Sequence, residues 1–198
     1  RLTYRRDCSC GGNLNQHHWN HQIVDLGRLQ TGLGVIWSEP NILLAITLSP
    51  DKTQLLKRSL PESMPGQLTQ KSLPSILEEQ LIQALHGEPV EWDWFPNLDS
   101  GTAFQQRIWK ILEQCPHGDY WSYKELADRS GNSKAVRAVG SACGKNPFPL
   151  RIPCHRIVAS NGTLGGFTGD LELKKWILQK ETEHTFDVRF GTSDRALP

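Results

Sequence analysis

The most restrictive feature of this 198-residue chain is a dense series of helix signals in its second half. Thr102 and Gln105 have the spacing of a capping box, in which each side chain hydrogen-bonds the backbone N–H of the other residue. The apolar residues that follow recur at helical spacing: Phe104, Ile108, Ile111 and Leu112. A capped amphipathic helix is therefore predicted to open this half of the chain.

Two further helices are predicted after it, around residues 123–129 and 134–143. Gly131 lies in the short turn between them, and Ser133 is a suitable N-cap for the second helix. Helix, glycine turn and helix is the arrangement of a DNA-binding helix-turn-helix, but plain helical bundles contain the same pair. The pattern alone leaves both interpretations open. Further along, Asp170 is a suitable cap for a last helix.

The first half of the chain predicts a small α/β unit. Two strand-like runs, 32–37 and 42–48, flank a Ser-Glu-Pro-Asn turn and indicate a hairpin. A helix with one apolar face is predicted to begin near Pro74, and Gly87 suits the position just past its end. Residues 88–99 contain two prolines and no helical period, so we interpret them as a linker.

These signals together predict an α/β protein in four segments. The segments are a polar, irregular leader, a small α/β domain, a helical domain and a tail, at residues 1–21, 22–98, 99–184 and 185–198. No apolar run approaches the roughly 20 residues of a membrane helix, so no membrane partner is expected. No glycine-rich phosphate loop indicates a nucleotide cofactor.

Cysteine usage bears on both compartment and metal binding. The five cysteines are an odd number, which argues against a disulfide framework and favours a reducing compartment: the cytoplasm, or the nucleus in a eukaryote. The leader carries five residues of zinc-ligating type: Cys8, Cys10, His17, His18 and His21. Their spacing matches no familiar zinc pattern, so a zinc site and a flexible arm with incidental ligands both remain open.

Charge is distributed unevenly along the chain. Residues 1–98 carry 8 Lys+Arg against 10 Asp+Glu, whereas residues 99–198 carry 14 against 11. From Arg129 to Arg156 there are six basic residues and no acidic one. Such a basic stripe suits a phosphate-rich partner, although a solvated surface that lacks acids would have the same composition.

The segment Ile-Pro-Cys-His-Arg at 152–156 is the strongest candidate for chemistry. A cysteine is nucleophilic as its thiolate, and an adjacent imidazole or cation favours that form. Neighbouring side chains of a regular strand point to opposite faces, so Cys154 and His155 can act together only if the backbone turns, as Pro153 would allow. The alternative is a buried structural cysteine beside an exposed histidine.

This segment, with GNSKAVRAVGSACGKNPFPL before it and GTAFQQRIWK further upstream, closely resembles the O6-alkylguanine-DNA alkyltransferases over residues 101–181. The resemblance implies a small ribonuclease H-like α/β domain followed by a helical, winged helix-turn-helix-like domain. It implies a monomer that repairs double-stranded DNA by single-turnover, irreversible transfer of a methyl or other alkyl group from O6-alkylguanine, without a cofactor. A non-catalytic alkyltransferase-like lesion binder and a transcription factor that reads the major groove are the alternatives.

The resemblance also implies roles for matching residues of the reactive centre. Cys154 matches the alkyl acceptor, His155 the base that deprotonates it through a water, and Glu181 the carboxylate that orients the histidine. Asn146 matches a residue that holds the active-site turn, and Tyr123 a phenol that protonates the departing guanine. We expect the sulfur of Cys154 to be ionised, reachable and facing an extruded base.

A second set of matches concerns DNA. The resemblance implies that the second helix of the helix-turn-helix enters the minor groove and that Arg137 fills the space left by the flipped base, a phosphate contact being the simpler alternative. Small or basic residues expected at the groove are Lys134, Ala135, Ala138, Gly140, Ser141 and Ala142. The pocket for the extruded base is expected to involve Ile157, Phe167, Thr168 and Gly169. Phe167 stands where some members of the family carry tyrosine.

Overall fold

The structure is a computed structural model, and it describes residues 16–51, 67–167 and 169–182. Its first part contains a five-stranded sheet with the order β4-β1-β2-β3-β5. Strands β1, β2 and β3 are antiparallel neighbours, and β4 and β5 add in parallel at the two edges. The strands span Gln16–Asp25 (β1), Gln30–Ser38 (β2), Ile42–Leu48 (β3), Gln67–Gln70 (β4) and Phe95–Pro96 (β5).

The predicted hairpin and the helix after Pro74 are both confirmed. Strands β2 and β3 pair antiparallel, and helix α1 spans Ser75–Leu85. Alternate residues of β2 and every fourth residue of α1 are buried in one core: Leu33, Val35, Trp37, Leu77, Leu81 and Leu85. The residues that recur every second position in β2 and about every fourth position in α1 therefore pack in the same core, on one face of the sheet.

Two segments of the first part differ from the expectation. Residues 16–21, predicted as the end of an irregular leader, form the beginning of β1, because β2 and β4 supply backbone partners on both sides. Phe95 and Pro96, predicted within the linker, pair with β3 as a two-residue edge strand. Proline is tolerated at an edge, where its missing N–H interrupts no ladder. Both corrections arise from pairing between distant segments, which local composition does not encode.

The second part of the chain is mainly helical. Its helices span Ala103–Leu112 (α2), Tyr123–Arg129 (α3), Val136–Gly144 (α4) and Leu171–Thr182 (α5). Strands β6 (Trp121–Ser122) and β7 (Ile157–Val158) form a short parallel pair. The mixed α/β class is thus confirmed at the level of a sheet packed with helices. Within the described residues, no helix combines the length and apolar character needed to cross a membrane.

The helix starts follow the predicted caps with one exception. Thr102 and Gln105 form the capping box of α2, and Asp170 accepts a hydrogen bond from the backbone N–H of Glu172 at the start of α5. Ser133 is not the N-cap of α4, which begins after Ala135 without a side-chain cap. The side chain of Asn132 instead accepts from the N–H of Lys134, which adds a turn before the helix.

Candidate active site

Cys154 lies at the end of a turn that Asn146 closes. The side-chain amide of Asn146 donates to the carbonyl of Ile152 at 2.8 Å and to the sulfur of Cys154 at 3.1 Å. Its oxygen accepts from the backbone N–H of Phe148 at 3.0 Å. A single buried side chain therefore holds both ends of the turn and directs a donor at the sulfur, where a hydrogen bond favours the thiolate.

The backbone turns at the Cys-His pair, as joint action of the two residues requires. Residues Cys154–Arg156 form a short 3₁₀ helix, and both Cys154 and His155 are buried. Nε2 of His155 lies 3.0 Å from Oε1 of Glu181. Arg156 donates to both oxygens of the same carboxylate, at 2.7 and 2.9 Å. The structure thus brings together four of the five residues predicted at the reactive centre, Cys154, Asn146, His155 and Glu181, and adds Arg156 to them.

Burial and hydrogen bonding set the charge states of this pair. Burial of Glu181 opposes its ionisation, but the imidazole of His155 and the guanidinium of Arg156, both hydrogen-bonded to the carboxylate, bring its pKa down to about 2. Burial lowers the pKa of His155 although Glu181 opposes this shift. A neutral imidazole facing an ionised carboxylate carries its proton on Nε2, which leaves the lone pair on Nδ1. That nitrogen is buried and has no hydrogen-bond partner among the described residues.

Lys174 is a residue of the site that the sequence interpretation missed. Its ammonium is fully buried and donates to the carbonyls of Ile157 at 2.6 Å, Gly166 at 3.2 Å and Leu164. Burial lowers the pKa of Lys174 to about 8, while the nearby thiols of Cys154 and Cys143 oppose that shift. One sequence feature could have indicated Lys174 as a site residue. It lies seven residues before Glu181 on α5, on the helix face that also carries buried apolar residues.

Tyr123 lies against the loop that precedes α5. Its hydroxyl donates to the carbonyl of Gly166 at 3.2 Å, and burial raises the pKa of the phenol to about 12, so the group stays protonated. Gly165 has φ +67°, and a Cβ there would come within 2.7 Å of the tyrosine ring. Only glycine combines this backbone conformation with so close an approach.

The predicted pocket residues are partly described. Cys154 is only 3% exposed, so this conformation leaves almost none of the residue open to a substrate, contrary to the expected reachable sulfur. The carbonyl of Ile157 already accepts from Lys174, and Phe167 is half-buried. A Cβ on Gly169 would lie 3.2 Å from the carbonyl oxygen of Leu48, which places the loop against the first part of the chain. Thr168 lies outside the described residues.

Helix α4 presents most of the predicted DNA-contacting residues on its outer side. Lys134 just before the helix and Arg137, Ala138 and Ser141 within it are exposed, and Ala135 and Gly140 are half-buried. The structure corrects one member of the set: Ala142 is buried, and its carbonyl accepts from Nε1 of Trp109 at 2.9 Å. Arg137 has no side-chain partner within the described ranges. The helix therefore packs one face on α2 and leaves the other exposed.

The histidines proposed as zinc ligands do not converge. They lie on β1, where successive side chains alternate between faces, so His18 points away from His17 and His21. Nε2 of His21 lies 2.9 Å from the carbonyl oxygen of Ser49. In the described part of the chain, no group of three metal-ligating side chains is assembled. Cys8 and Cys10 lie outside the described residues, so a zinc site that includes them stays a prediction.

Comparison with known proteins covers the segment that carries these residues. A family model described as "6-O-methylguanine DNA methyltransferase, DNA binding domain" matches residues 103–183. A methylated-DNA--protein-cysteine methyltransferase of Shigella flexneri is 38% identical over 108 residues, 54% of this chain and 63% of that protein. The protein of the same name from Haemophilus influenzae is 49% identical over 96 residues, 48% of this chain and 54% of that protein. The chain therefore spans less than two thirds of the length of these curated relatives.

Solved structures extend the similarity to the first part of the chain. Mycobacterium tuberculosis OGT, solved in complex with DNA, is 29% identical with a TM-score of 0.64 and matches 85% of this chain and 93% of its own. A variant of the M. tuberculosis O6-methylguanine methyltransferase is 30% identical with a TM-score of 0.62 and matches 84% of this chain and 93% of its own. The resemblance inferred from the sequence is confirmed by these matches. The chain belongs to the O6-methylguanine-DNA methyltransferase family.

Proposed function

We propose that this protein repairs DNA by direct reversal, moving an alkyl group from O6 of guanine onto Cys154 in a single irreversible turnover. The observation that carries the proposal is the arrangement around the sulfur. Asn146 donates to it at 3.1 Å, and the next residue in the chain, His155, is buried and paired with Glu181. A thiol, a neutral imidazole and an orienting carboxylate form the set that activates a cysteine nucleophile.

The first step is removal of the thiol proton. Glu181 fixes the proton of His155 on Nε2, so the Nδ1 lone pair is the acceptor, either directly or through one water. The resulting imidazolium lies beside an ionised Glu181 that Arg156 also neutralises, which limits the cost of forming a buried cation. The amide of Asn146 stabilises the thiolate as it forms.

The second step is alkyl transfer. The sulfur attacks the carbon bound to O6, the S–C bond forms, and the C–O6 bond breaks with its electron pair passing to guanine. The phenol of Tyr123, whose pKa burial raises to about 12, donates a proton to the departing base, which removes the negative charge that would otherwise develop there. Cys154 is left as a stable thioether, which accounts for a single turnover.

Access to the sulfur requires a change from the described conformation. The substrate atom lies inside a base stack, so guanine must be extruded before it can react. We propose that α4 enters the minor groove, that Arg137 occupies the space vacated by the base, and that the loop around Gly165 moves away from Tyr123 to admit it. The exposed outer side of α4, with its basic and small residues, supports this placement.

The proposal is tested with duplex DNA carrying one O6-methylguanine. We expect the intact mass of the protein to increase by one methyl group, located on the peptide that contains Cys154, with an equal amount of guanine restored in the DNA. Cys154→Ser should gain no methyl group. Cys115→Ser is the matched control, because Cys115 is also buried yet lies outside the proposed chemistry, and it should be methylated like the wild type.

The alternatives predict other outcomes in the same experiment. Tight binding to the lesion without any mass gain would indicate a non-catalytic lesion binder and would refute the transfer. Binding that depends on sequence but not on the lesion would indicate a transcription factor.

A further inference from the structure

The turn that carries the acceptor has an unusual backbone. Leu150, midway between Asn146 and Cys154, has φ 74°, the one positive value for a residue other than glycine among the described residues. L-residues avoid this conformation, and it persists only where the surroundings impose it. Contacts outside the turn must therefore hold it in place.

The first part of the chain supplies one such contact at the start of the turn. The backbone N–H of Ile46, in β3, donates to the carbonyl of Pro147 at 2.8 Å. This bond ties the turn to strand β3 of the sheet.

Arg151, the residue after Leu150, supplies a second set of contacts. Its Nε donates to the carbonyl of Trp94 at 3.1 Å, and its Nη1 donates to Glu113 at 2.7 Å. The guanidinium also lies 5.9 Å from the ring centre of Trp92. Its side chain is 16% exposed, so solvent screens these interactions only in part. One residue of the turn thus binds both the segment between the two parts of the chain and the end of α2.

The segment that Arg151 binds is itself fixed from the opposite side. The buried amide of Gln80, on α1, donates to the carbonyl of Glu91 at 2.7 Å and to the carboxylate of Asp93 at 2.9 Å. Residues 91–94 are therefore held in place by α1 and can in turn fix the position of Arg151.

Packing alone does not secure the rear of the turn. A cleft of about 280 Å³ lies there, and its lining includes Trp92, Leu150, Arg151, Pro153, His155 and Glu181. The same open space borders the acceptor turn and the His-Glu pair. Directional polar contacts therefore add to the packing of Leu150 and Ile152 in resisting movement of the turn into this cleft.

We propose that Arg151 is a positioning residue for the alkyl-acceptor turn: by clamping the turn to Trp94 and Glu113 it keeps Leu150 in its strained conformation and Cys154 in line with Asn146 and His155. The inference rests on the proposed function for the reaction that this geometry serves. It assigns to the first part of the chain and the connecting segment a role in holding the reactive sulfur. Arg151 itself does not contact the reacting atoms.

The test uses Arg151→Ala in the full chain. Loss of the clamp should slow methyl transfer from DNA by about 10- to 100-fold, since displacements of about 1 Å in a reactive group have effects of this size. Affinity for undamaged duplex DNA should stay at the wild-type value. The pH midpoint for alkylation of Cys154 by iodoacetamide should move upward, because a looser turn weakens the hydrogen bond from Asn146 to the sulfur.

Matched variants separate positioning from general stability. Arg28→Ala removes an exposed arginine of the turn between β1 and β2 and should leave the transfer rate and the iodoacetamide profile unchanged. Glu113→Gln keeps an acceptor but removes its charge, so a smaller loss is expected. Glu113→Ala added to Arg151→Ala should slow transfer no further, because both changes remove the same contact.

Several outcomes would overturn the proposal. One is a folded Arg151→Ala protein with the transfer rate and iodoacetamide profile of the wild type. If Arg151→Ala does not fold, Arg151→Lys and Glu113→Gln take its place, and wild-type behaviour of both would refute the clamp. If the wild-type protein accepts no methyl group, the proposed function fails, yet the iodoacetamide profiles still decide whether Arg151 positions the sulfur.

Discussion

The buried side of the site and the outer side of α4 treat charge in opposite ways. Glu181 and Lys174 are buried and each is bound by several groups: two side chains for the carboxylate and three carbonyls for the ammonium. Lys134 and Arg137 are exposed, and their charged groups bind no side chain or carbonyl in the described structure. The buried charges are thus fully hydrogen-bonded within the protein, whereas the exposed ones are open to a partner.

This difference indicates that the buried side of the site is organised before substrate binds, whereas the outer side of α4 is free to bind DNA. A buried charge is tolerated only when hydrogen bonds replace its lost hydration, so the saturated set must be complete before any substrate arrives. Exposed cations retain their hydration and counterions, which they can exchange for phosphates. Variants on the buried side should therefore change stability and rate together, whereas variants on the outer side should change only events that involve DNA.

The largest effect is expected for Lys174→Met. The side chain is similar in length, but the carbonyls of Ile157, Leu164 and Gly166 lose their shared donor. The carbonyl of Gly166 keeps the Tyr123 hydroxyl as a donor, whereas those of Ile157 and Leu164 lose the ammonium. Buried carbonyls without partners cost about 1–3 kcal/mol each, so the free energy of unfolding should fall by about 3–5 kcal/mol. Methyl transfer should slow by more than about 100-fold, because the carbonyls of Leu164 and Gly166 belong to the loop that meets Tyr123. Urea denaturation and single-turnover kinetics measure the two effects.

Lys175→Met is the control for this variant. Lys175 is the next residue on α5, is half-buried and makes no polar side-chain contact within the described ranges. It should change the unfolding free energy by less than about 0.5 kcal/mol. An equal fall in unfolding free energy in the two variants would show that α5 tolerates methionine poorly at either position. The hydrogen bonds from Lys174 to the three carbonyls would then contribute nothing to stability.

An intermediate effect is expected for Glu181→Gln, and it depends on pH. The folded protein holds the pKa of Glu181 at about 2, below the ordinary value of 4.5, so ionisation stabilises the folded state. This contribution is fully present above pH 4.5 and is lost as the pH falls through about 2. A difference of this size corresponds to about 3 kcal/mol. The stability gap between wild type and variant should therefore be widest near neutral pH and narrow steadily below pH 4.5.

Unfolding measured from pH 7 to pH 3 tests this dependence. Glu172→Gln, an exposed position in the first turn of the same helix, should show little difference from the wild type at any pH. A gap for Glu181→Gln that stays constant over this range would mean that the carboxylate contributes through its shape and hydrogen bonds rather than through its charge.

Local features of the site could be predicted from sequence because they are encoded within a few residues. The capping box at Thr102 and Gln105 and the cap at Asp170 require only neighbours in the chain, and the structure has both. The turn required between Cys154 and His155 followed from the alternation of strand side chains and the proline before them. The expected start of α4 failed because Asn132 competes with Ser133 for the backbone N–H groups of the same turn.

Features that depend on distant segments were not predictable in this way. Lys174 binds carbonyls 8 to 17 residues before it, and Arg151 binds a carbonyl 57 residues away. Nothing in the composition around either residue indicates such a partner. The position of the loop before α5 has the same origin, since Gly165 and Gly169 lie close to Tyr123 and Leu48. The sequence predicted Cys154 as the alkyl acceptor, but long-range contacts determine how that residue is held.

The smallest effect on the folded protein is expected for Arg137→Ala, which tests the outer side directly. The side chain is exposed and has no partner among the described residues, so the unfolding free energy should change by less than about 0.5 kcal/mol. On duplex DNA, the loss of the group proposed to fill the vacated stack should slow methyl transfer by about 10-fold, equivalent to about 1.4 kcal/mol. Transfer from a free O6-alkylguanine base, which needs no flipping, should keep its wild-type rate.

The ratio of the transfer rates on duplex DNA and on the free base separates the two roles considered for Arg137. Loss of a phosphate contact alone would lower DNA affinity and the salt dependence of binding, but it would not slow methyl transfer at saturating DNA. A parallel loss with both substrates would instead place Arg137 with the buried charges, and the contrast between the two sides of the site would no longer hold.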